Sequence, residues 1–366
     1  MLTRDFRFLL TAIVLTLFVS GCSAPPQRQR VLWPLPPDTP RIEWLGTYGS
    51  EDDFPKTSMQ KLGEQIAGKP EHAVFKSPFG IAGDGKGIVY ISDSSDNNLR
   101  VYDLNNYTVD YFSKEPIFDR PAGLDIDSAG NLYVVDNGRR LVSVFDRDRR
   151  PLRSFGSTDL QAPAYIHIDE ERDRIYVSDP RVNKIMVYNL AGVKQKEIGP
   201  QLTADLGFGS PQGMTTDKDG NLYVAEMLSS RISVFDVNGL YQRSFGERGD
   251  AFYQFEAPKD IAFDSDDNLW VIDNRRPMIY TYSPEGTLLL TTGTSARSDA
   301  PLGFVAPTAI HIAPNNAIYV SDRMNRRFSA WRYLHANYFE EHPLTPVEKA
   351  ALEKTATEAQ KSPPAP

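Results

Sequence analysis

The sequence predicts an all-β fold, a six-bladed β-propeller built from four-stranded blades. The main evidence is an internal repeat, because PAGLDIDSAGNLYVVDNGRRLVSVFDRDRRPLRSFG at 121–156 and PQGMTTDKDGNLYVAEMLSSRISVFDVNGLYQRSFG at 211–246 align position for position without a gap and are identical at 16 of 36 positions. A proline opens each of six units, and successive prolines are 42–49 residues apart, a period typical of propeller blades. These prolines are Pro78, Pro121, Pro163, Pro211, Pro258 and Pro307.

Each of the first five units contains four short segments with the apolar alternation of β-strands, such as GLDID, NLYVVD, LVSVFD and PLRSFG in the second unit. Turn sequences such as DSAGN and SPEGT carry the Asp, Gly and Pro that hairpins need. An aromatic side chain recurs in the second strand, and we expect it to pack between neighbouring blades. The residues are Tyr90, Tyr133, Tyr176, Tyr223, Trp270 and Tyr319.

The sixth unit lacks a fourth strand, since no SFG-like ending follows RFSAWRYL at 327–334. The segment RIEWLGTYG at 41–49 has the form of such an ending but precedes the first unit. We therefore predict that it supplies the outer strand of blade six and closes the ring. Closure would leave only short outer edges, which limits edge-to-edge aggregation.

An acidic residue follows the second-strand aromatic by three positions in every unit. We expect these six carboxylates to bond the backbone of nearby turns rather than to form six functional sites. They are Asp93, Asp136, Asp179, Glu226, Asp273 and Asp322.

The N-terminal residues have the pattern of a targeting segment. Arg4 and Arg7 precede an apolar run that is short for a membrane span, and the sequence VSGC follows. This resembles the bacterial lipobox, which implies that Cys22 receives lipid and becomes the mature N-terminus. Ser23 after that cysteine implies sorting to the outer membrane. An ordinary secretory signal or an uncleaved anchor is the alternative.

These patterns predict four segments. A lipoprotein signal peptide occupies 1–21, and a proline-rich extended tether occupies 22–40. The propeller occupies 41–334, with a short helix at 56–68 between the closing strand and the first blade. Residues 335–366 form a short helix and a disordered tail. In that last segment Thr345 and Glu348 form a capping box ahead of a helix that reaches residue 361.

Composition excludes several classes of site. The net charge of −8 does not favour nucleic acid as a partner. The single cysteine rules out an intrachain disulfide, a multi-cysteine metal site and haem attachment through C-x-x-C-H.

The consensus PxGIAxDxxGNxYVxDxxNxRIxVFDxxGxxxxxFG resembles the NHL repeat, and the chain is similar to bacterial six-bladed NHL-type propeller lipoproteins. Related six-bladed enzymes include peptidyl-hydroxyglycine amidating lyases and gluconolactonase-like hydrolases. In the lyases a metal-binding histidine directly follows the opening proline. Here those positions hold other residues, and the lactonase-like EGP opening is absent too, so neither active site can be carried over. The residues are Phe79, Ala122, Ala164, Gln212, Lys259 and Thr308.

The first strands line the central channel, and the fourth residue after the opening proline varies among units. Asp125, His167, Thr215 and His311 occupy this position in four of them. Imidazole and carboxylate groups suit a divalent metal or a small ligand. Alternatively, these groups hold channel water or pair with the backbone, and histidines on opposite blades can be too far apart to share an ion.

Loops between second and third strands carry many basic residues. The arginines that we single out as partner-binding candidates are Arg139, Arg140, Arg275, Arg276, Arg326 and Arg327. Acidic loops between blades lie on the same face and nearly cancel this charge. The mixed charge suits a protein or polysaccharide partner, and a merely solvated face is the alternative.

The combined interpretation is a lipid-anchored envelope protein that faces the periplasm or the cell surface and acts as a non-catalytic binding or assembly module, without a resident cofactor. Its partners would be the membrane, through the N-terminal lipid, and an envelope protein or polysaccharide. A metal-assisted hydrolase or lyase using Asp125, His167 and His311 is the alternative function. A sensor for a small ligand in the channel is a third.

Overall fold

The structure is a computed structural model that describes residues 30–56, 58–67, 74–199, 207–251, 253–293, 300 and 303–361. The predicted signal peptide, Cys22 and the last five residues lie outside these ranges. Leu32–Pro343 form one compact unit that contains all six blades, and the remaining described residues belong to a second unit.

Six antiparallel sheets form the blades, as the repeat predicts. The chain begins with β1 (Val31–Trp33) and β2 (Ile42–Tyr48). Blade one contains β3 (Pro78–Gly83), β4 (Ile88–Asp93), β5 (Asn98–Asp103) and β6 (Thr108–Tyr111). Blade two contains β7 (Pro121–Ile126), β8 (Leu132–Asp136), β9 (Leu141–Phe145) and β10 (Pro151–Phe155). Blade three contains β11 (Ile166–Asp169), β12 (Arg174–Asp179), β13 (Lys184–Tyr188) and β14 (Lys194–Ile198).

The second half of the ring has the same organisation. Blade four contains β15 (Pro211–Thr216), β16 (Leu222–Glu226), β17 (Arg231–Phe235) and β18 (Tyr241–Phe245). Blade five contains β19 (Pro258–Phe263), β20 (Leu269–Asp273), β21 (Met278–Tyr282) and β22 (Leu288–Gly293). Blade six contains β23 (Pro307–Ile312), β24 (Ala317–Asp322) and β25 (Arg327–Tyr333) from this end of the chain.

The N-terminal closing strand is confirmed. β2 pairs antiparallel with β25, so that Ile42 lies opposite Tyr333 and Tyr48 opposite Phe328. A register shift between Trp44 and Gly46 interrupts the ladder. Blade six is therefore completed by a strand from the opposite end of the chain.

Part of the predicted tether is not a tether. Val31–Trp33 form β1, which pairs with β2 and gives blade six a fifth strand. The physical reason is apolar burial, since Leu32 is buried and Trp33 packs on the cluster that contains Ile42 and Trp331. The blade thus continues to the first residues that the structure describes.

The second-strand aromatics pack in the hydrophobic clusters of the ring, as expected, and all six are buried. The third residue after each opening proline belongs to the same clusters. These residues are Ile81, Leu124, Ile166, Met214, Ile261 and Ile310.

The six repeated acids bind backbone, which confirms their structural role. Asp273 is typical, because it accepts hydrogen bonds from the backbone N–H groups of Glu256, Ala257, Arg275 and Arg276. Each such carboxylate joins the loop that enters its blade to the end of the second strand, and several also bind the turn that follows. These contacts orient the loops on one face of the ring.

Helices are few. α1 (Ser58–Ala67) lies between β2 and blade one and confirms the helix predicted there, while 3₁₀ turns occupy Glu51–Asp53 and Glu170–Arg172. α2 (Tyr338–Glu341) follows the last blade, and α3 (Pro346–Lys361) belongs to the second unit. The predicted capping box is present ahead of α3, since the Glu348 N–H donates to Thr345 Oγ1 and the Thr345 N–H donates to Glu348 Oε2. Within the described residues no helix has the length and apolarity needed to cross a membrane.

Candidate functional site

The innermost strands of the six blades surround a central cavity of about 270 Å³. Its wall includes all four side chains predicted to face the channel, which are Asp125, His167, Thr215 and His311. They reach it because each lies on the first strand of its blade, whose side chains alternate in direction. The sequence therefore predicted the placement of these side chains correctly.

Tyr165 crosses the end of the cavity at which the inner strands begin. Its hydroxyl donates to the backbone carbonyl of Thr308 at 2.7 Å, and its ring centroid lies 5.3 Å from that of Phe79. Tyr165 is on blade three and Thr308 on blade six, which are opposite each other in a six-membered ring. The hydrogen bond thus spans the channel, and the buried Tyr165 ring forms the floor of the cavity.

Asp125 and His167 form a pair on blades two and three. Asp125 Oδ2 lies 3.8 Å from His167 Nδ1 and also accepts a hydrogen bond of 2.8 Å from the Ile168 N–H. His167 Nε2 accepts from the Thr216 N–H at 3.2 Å and lies 2.8 Å from Thr216 Oγ1. A neutral imidazole carries one N–H, so a His167 ring whose Nε2 accepts a hydrogen bond has its proton on Nδ1, which faces the Asp125 carboxylate. The network therefore orients a neutral imidazole beside an acid.

His311 lies across the ring from this pair and has a separate partner. Its Nε2 is 3.0 Å from the Gly83 carbonyl oxygen, to which it donates. No group of three His, Cys, Asp or Glu side chains within the described ranges is arranged to hold a metal ion. The structure thus brings Asp125 and His167 together but does not join His311 to them in a metal-ready cluster.

Burial changes the proton affinities of these groups. Desolvation raises the pKa of Asp125 to about 7, although the N–H groups of Ile126 and Ile168 oppose this shift. Desolvation lowers the pKa of His167 to about 4, with a smaller contribution from the charge of His311, and it lowers the pKa of His311 to about 4 as well. At neutral pH both histidines are neutral, and Asp125 exchanges its proton within the physiological range.

The cavity wall contains a second carboxyl that was not among the predicted site residues. Asp260 Oδ2 accepts from the Ile310 N–H at 2.9 Å, and its Oδ1 accepts from the Ile261 N–H. Desolvation raises the pKa of Asp260 to about 8. Like Asp125, it reaches from its own inner strand to the backbone of the next blade. A charge at the second position after the proline, where three other units have glycine, was the available signal.

Lys259 lies at the same end of the channel as Tyr165. Its Nζ donates to Gln212 Oε1 at 2.6 Å and sits 5.8 Å and 5.7 Å from the ring centroids of Phe79 and Tyr165. Desolvation lowers the pKa of Lys259 to about 8, against the attraction of Asp260. An amine, two acids and two imidazoles of perturbed pKa thus line or adjoin one channel, which gives it groups that can accept and donate protons near neutral pH.

The loop face separates the six candidate arginines into two kinds. Arg139 and Arg275 have side chains that are 50% and 65% exposed, and Arg140 and Arg326 are also exposed. Each of these four lies in a loop between a second and a third strand, so all project from one face of the ring.

Arg276 and Arg327 differ from the prediction because they hold the loops themselves. Arg276 donates to the carbonyls of Gly249, Ala251 and Gln254, and its side chain is only 16% exposed. Arg327 donates to the carbonyls of Ala300 and Gly303. Guanidinium groups used in this way stabilise the loops and are poorly placed to bind a partner.

Large apolar side chains are exposed on the same face. Leu228 and Met324 lie in loops between second and third strands, and Tyr253 lies in the connection from blade four to blade five. All three are about half exposed or more. We call these three residues, with Arg139, Arg140, Arg275 and Arg326, the loop-face patch.

Comparison with known proteins supports the fold. A family model described as the SMP-30/gluconolactonase/LRE-like region matches residues 156–245, which span blades three and four. No curated protein gives a significant match.

Three similar solved structures have the following measures. A protein of unknown function from Bacteroides thetaiotaomicron has a TM-score of 0.58 at 17% identity, over 71% of this chain and 70% of that chain. A streptogramin B lyase has a TM-score of 0.53 at 12% identity, over 71% and 94%. A catalytically inactive histidine-to-alanine variant of virginiamycin B lyase from Staphylococcus aureus, crystallised with quinupristin, has a TM-score of 0.53 at 13% identity, over 70% and 94%. At these identities the similarity shows the fold alone, that of a six-bladed β-propeller.

Proposed function

We propose that this propeller is a lipid-anchored binding module of the bacterial envelope and that the loop-face patch holds a protein partner. The observation that carries the proposal is that exposed arginines and exposed large apolar side chains occur together on one face. Arginine and large apolar or aromatic side chains are the types that dominate binding energy in protein interfaces.

The opposite face provides a contrast. Its turns also expose apolar side chains such as Leu240 and arginines such as Arg150. Arg150, however, is paired with Asp146 of its own turn, and the turns between first and second strands carry acids such as Asp84. Arginine donors and apolar anchors on one face favour a folded protein partner over a polysaccharide, which would need stacking platforms and hydrogen-bonding side chains. The partner is expected at the envelope because of the lipobox-like sequence at Cys22.

The experiment is site-specific photocrosslinking of the full chain in native envelope membranes. A photoreactive residue at Met324 should give one discrete protein adduct. That adduct should disappear when Arg139, Arg140, Arg275 and Arg326 are all changed to Glu. A photoreactive residue at Leu240, equally exposed on the opposite face, is the matched control and should give no such adduct.

Two outcomes would reject the proposal. The first is an adduct that survives charge reversal or forms equally from position 240. The second is an adduct that resists protease and stains as glycan, because it would indicate a polysaccharide partner. Membrane fractionation of a Cys22→Ser variant tests the anchor separately.

A second candidate function places chemistry in the channel, as a hydrolase or lyase. The observation that favours it is the Asp125–His167 pair, 3.8 Å apart at the wall of a cavity whose floor is Tyr165. Elemental analysis of the full chain and of a His167→Ala/His311→Ala variant tests the metal-assisted form. One equivalent of metal that the variant loses would support it, and no metal in either protein would reject it.

A further inference from the structure

Helix α1 exposes an apolar stripe to solvent. Met59, Leu62 and Ile66 are 78%, 51% and 79% exposed. Their spacing of three and four residues places them on one side of the helix. Soluble proteins normally bury such a stripe, because burial is what stabilises a short amphipathic helix. The exposed stripe therefore needs a covering surface.

A short connection from a residue packed on blade six keeps α1 near that blade. Phe54 is buried, and its ring centroid lies 5.4 Å from that of Tyr48, the last residue of β2. Ser58, the first residue of α1, is four positions after Phe54, which is at most about 14 Å of chain. Lys56 Nζ lies 2.6 Å from Glu64 Oε1, and Glu64 is on the side of the helix opposite the stripe. The Lys56–Glu64 pair thus lies on the polar side of α1, and the apolar stripe faces away from it.

The proposed lipid anchor reaches the same blade. β1 is the outermost strand of blade six and pairs with β2, from whose far end Phe54 and α1 follow. Val31 is nine positions after Cys22, so the chain between them can extend no further than about 30 Å. A lipid on Cys22 would therefore hold blade six, and α1 with it, close to the bilayer.

We propose that the stripe of Met59, Leu62 and Ile66 inserts into the interface of the lipid bilayer, so that α1 is a second membrane contact beside the lipid. This rests on the proposed anchor at Cys22. The helix sequence SMQKLGEQIA carries one lysine and one glutamate, so insertion depends on apolar burial rather than on attraction to anionic headgroups. Three side chains would bind weakly from solution, but a tether converts binding into an intramolecular step at high effective concentration.

The geometry favours lipid over a protein groove as the cover, because the anchor brings lipid to the helix without any further partner. A consequence is that the domain has a fixed orientation on the membrane rather than free rotation on its tether. Two contacts, the lipid and α1, restrict the tilt of the propeller.

The experiment uses the full chain, expressed so that Cys22 is acylated, and reconstituted into phosphatidylcholine–phosphatidylethanolamine vesicles. Cys22 is the only cysteine, so acylation leaves a Leu62→Cys substitution as the single site for an environment-sensitive fluorophore. Quenching by lipids that carry a nitroxide on the acyl chain reports contact with the bilayer. Glu64→Cys, on the opposite side of the same helix, is the matched control.

We expect nitroxide lipids to quench the label at position 62 about threefold more than the label at position 64, as for a helix that lies in the interface. Equal and weak quenching at both positions, in protein whose Cys22 is acylated by mass spectrometry, would overturn the proposal. A blue shift at position 62 without lipid quenching would also overturn it, because it would mean burial against protein. If Cys22 is instead free, it labels too, and the result counts against the anchor rather than against the helix.

Discussion

Trp44 and Trp331 are cross-strand partners in blade six although 287 positions separate them in the chain. Trp331 is buried, and Trp44 packs on the cluster to which Trp331 belongs. This pair joins the first long strand of the chain to the last one. The ring is thus closed by side-chain packing and a strand ladder between the two ends of the propeller, and its stability should depend on that junction.

The first prediction concerns this junction. Ile42 on β2 is fully buried beside Trp331 and Tyr333, so Ile42→Ala should leave a cavity where the ring closes. We expect the free energy of unfolding to fall by about 2–4 kcal/mol, measured by urea denaturation. Leu152→Ala, on the half-exposed outer strand of blade two, should change it by less than about 0.5 kcal/mol. If the two substitutions lower the free energy of unfolding equally, packing of β2 at the ring closure does not contribute more to stability than an exposed outer strand does.

The second prediction concerns the repeated acids. Asp273 accepts from four backbone N–H groups, and Asp273→Ala would leave these donors without their acceptor in a buried site. We expect a loss of about 3 kcal/mol in the free energy of unfolding, because unsatisfied buried donors are costly. Asp219→Ala, at an exposed acid in a turn of blade four, is the control and should be nearly neutral. A similar loss in both variants would contradict the structural role of the repeated acid.

The sequence predicted the ring well because the repeat imposes the same local pattern six times. It failed at β1, whose three residues lie in a proline-rich stretch. Residues 31–33 form a strand because Leu32 is buried and Trp33 packs on the cluster around Trp331, and these contacts involve strands far away in the chain.

The cavity was predicted in part, for a physical reason. Strand alternation identified Asp125, and the same alternation places the second position after the proline on the same side as the fourth. At that position blade five has Asp260, so the same alternation predicts that the Asp260 side chain faces the channel. By contrast, the contact of Tyr165 with Thr308 crosses the ring, and no local pattern reports a distance across a ring.

The third prediction separates two neighbouring arginines on the loop face. Arg276 donates to three loop carbonyls, whereas Arg275 is largely exposed and its ion pair with Glu256 is long, at 3.7 Å. Arg276→Ala should lower the free energy of unfolding by about 1–3 kcal/mol, and Arg275→Ala by less than about 0.5 kcal/mol. Urea denaturation of the two variants in parallel checks this. If both are neutral, Arg276 is not a loop-holding residue and returns to the set of partner-binding candidates.

The fourth prediction is a pH dependence from the two cavity carboxyls. Burial raises the pKa of Asp125 to about 7 and that of Asp260 to about 8, whereas unfolded carboxyls titrate near pH 4. Between these values the folded protein keeps protons that the unfolded chain has released. The stabilising contribution is therefore complete below about pH 4 and is lost as the pH rises towards 7 and 8.

An Asp125→Asn/Asp260→Asn variant lacks this titration. Relative to wild type, it should gain up to about 1.4 kcal/mol of unfolding free energy per pH unit for each group between pH 4 and 7. Urea denaturation of the double variant and of wild type at pH 4.5, 6 and 7.5 measures the difference. A pH-independent difference between the double variant and wild type would show that the carboxyls titrate normally in the folded state.

The last prediction concerns the two cavity histidines, whose titration acts in the opposite direction. Burial lowers the pKa of His167 and of His311 to about 4, whereas unfolded histidine titrates near pH 6.5. As the pH falls from about 6.5 to 4, the unfolded chain takes up protons that the folded protein does not, so stability is lost in that window. A His167→Gln/His311→Gln variant should therefore gain on wild type as the pH falls, whereas the carboxyl variant gains as it rises. Denaturation series on both variants between pH 4 and 6.5 should give difference curves of opposite slope. Parallel slopes would mean that the histidines are not held neutral in the cavity, and the orientation of His167 Nδ1–H towards Asp125 would then have to be abandoned.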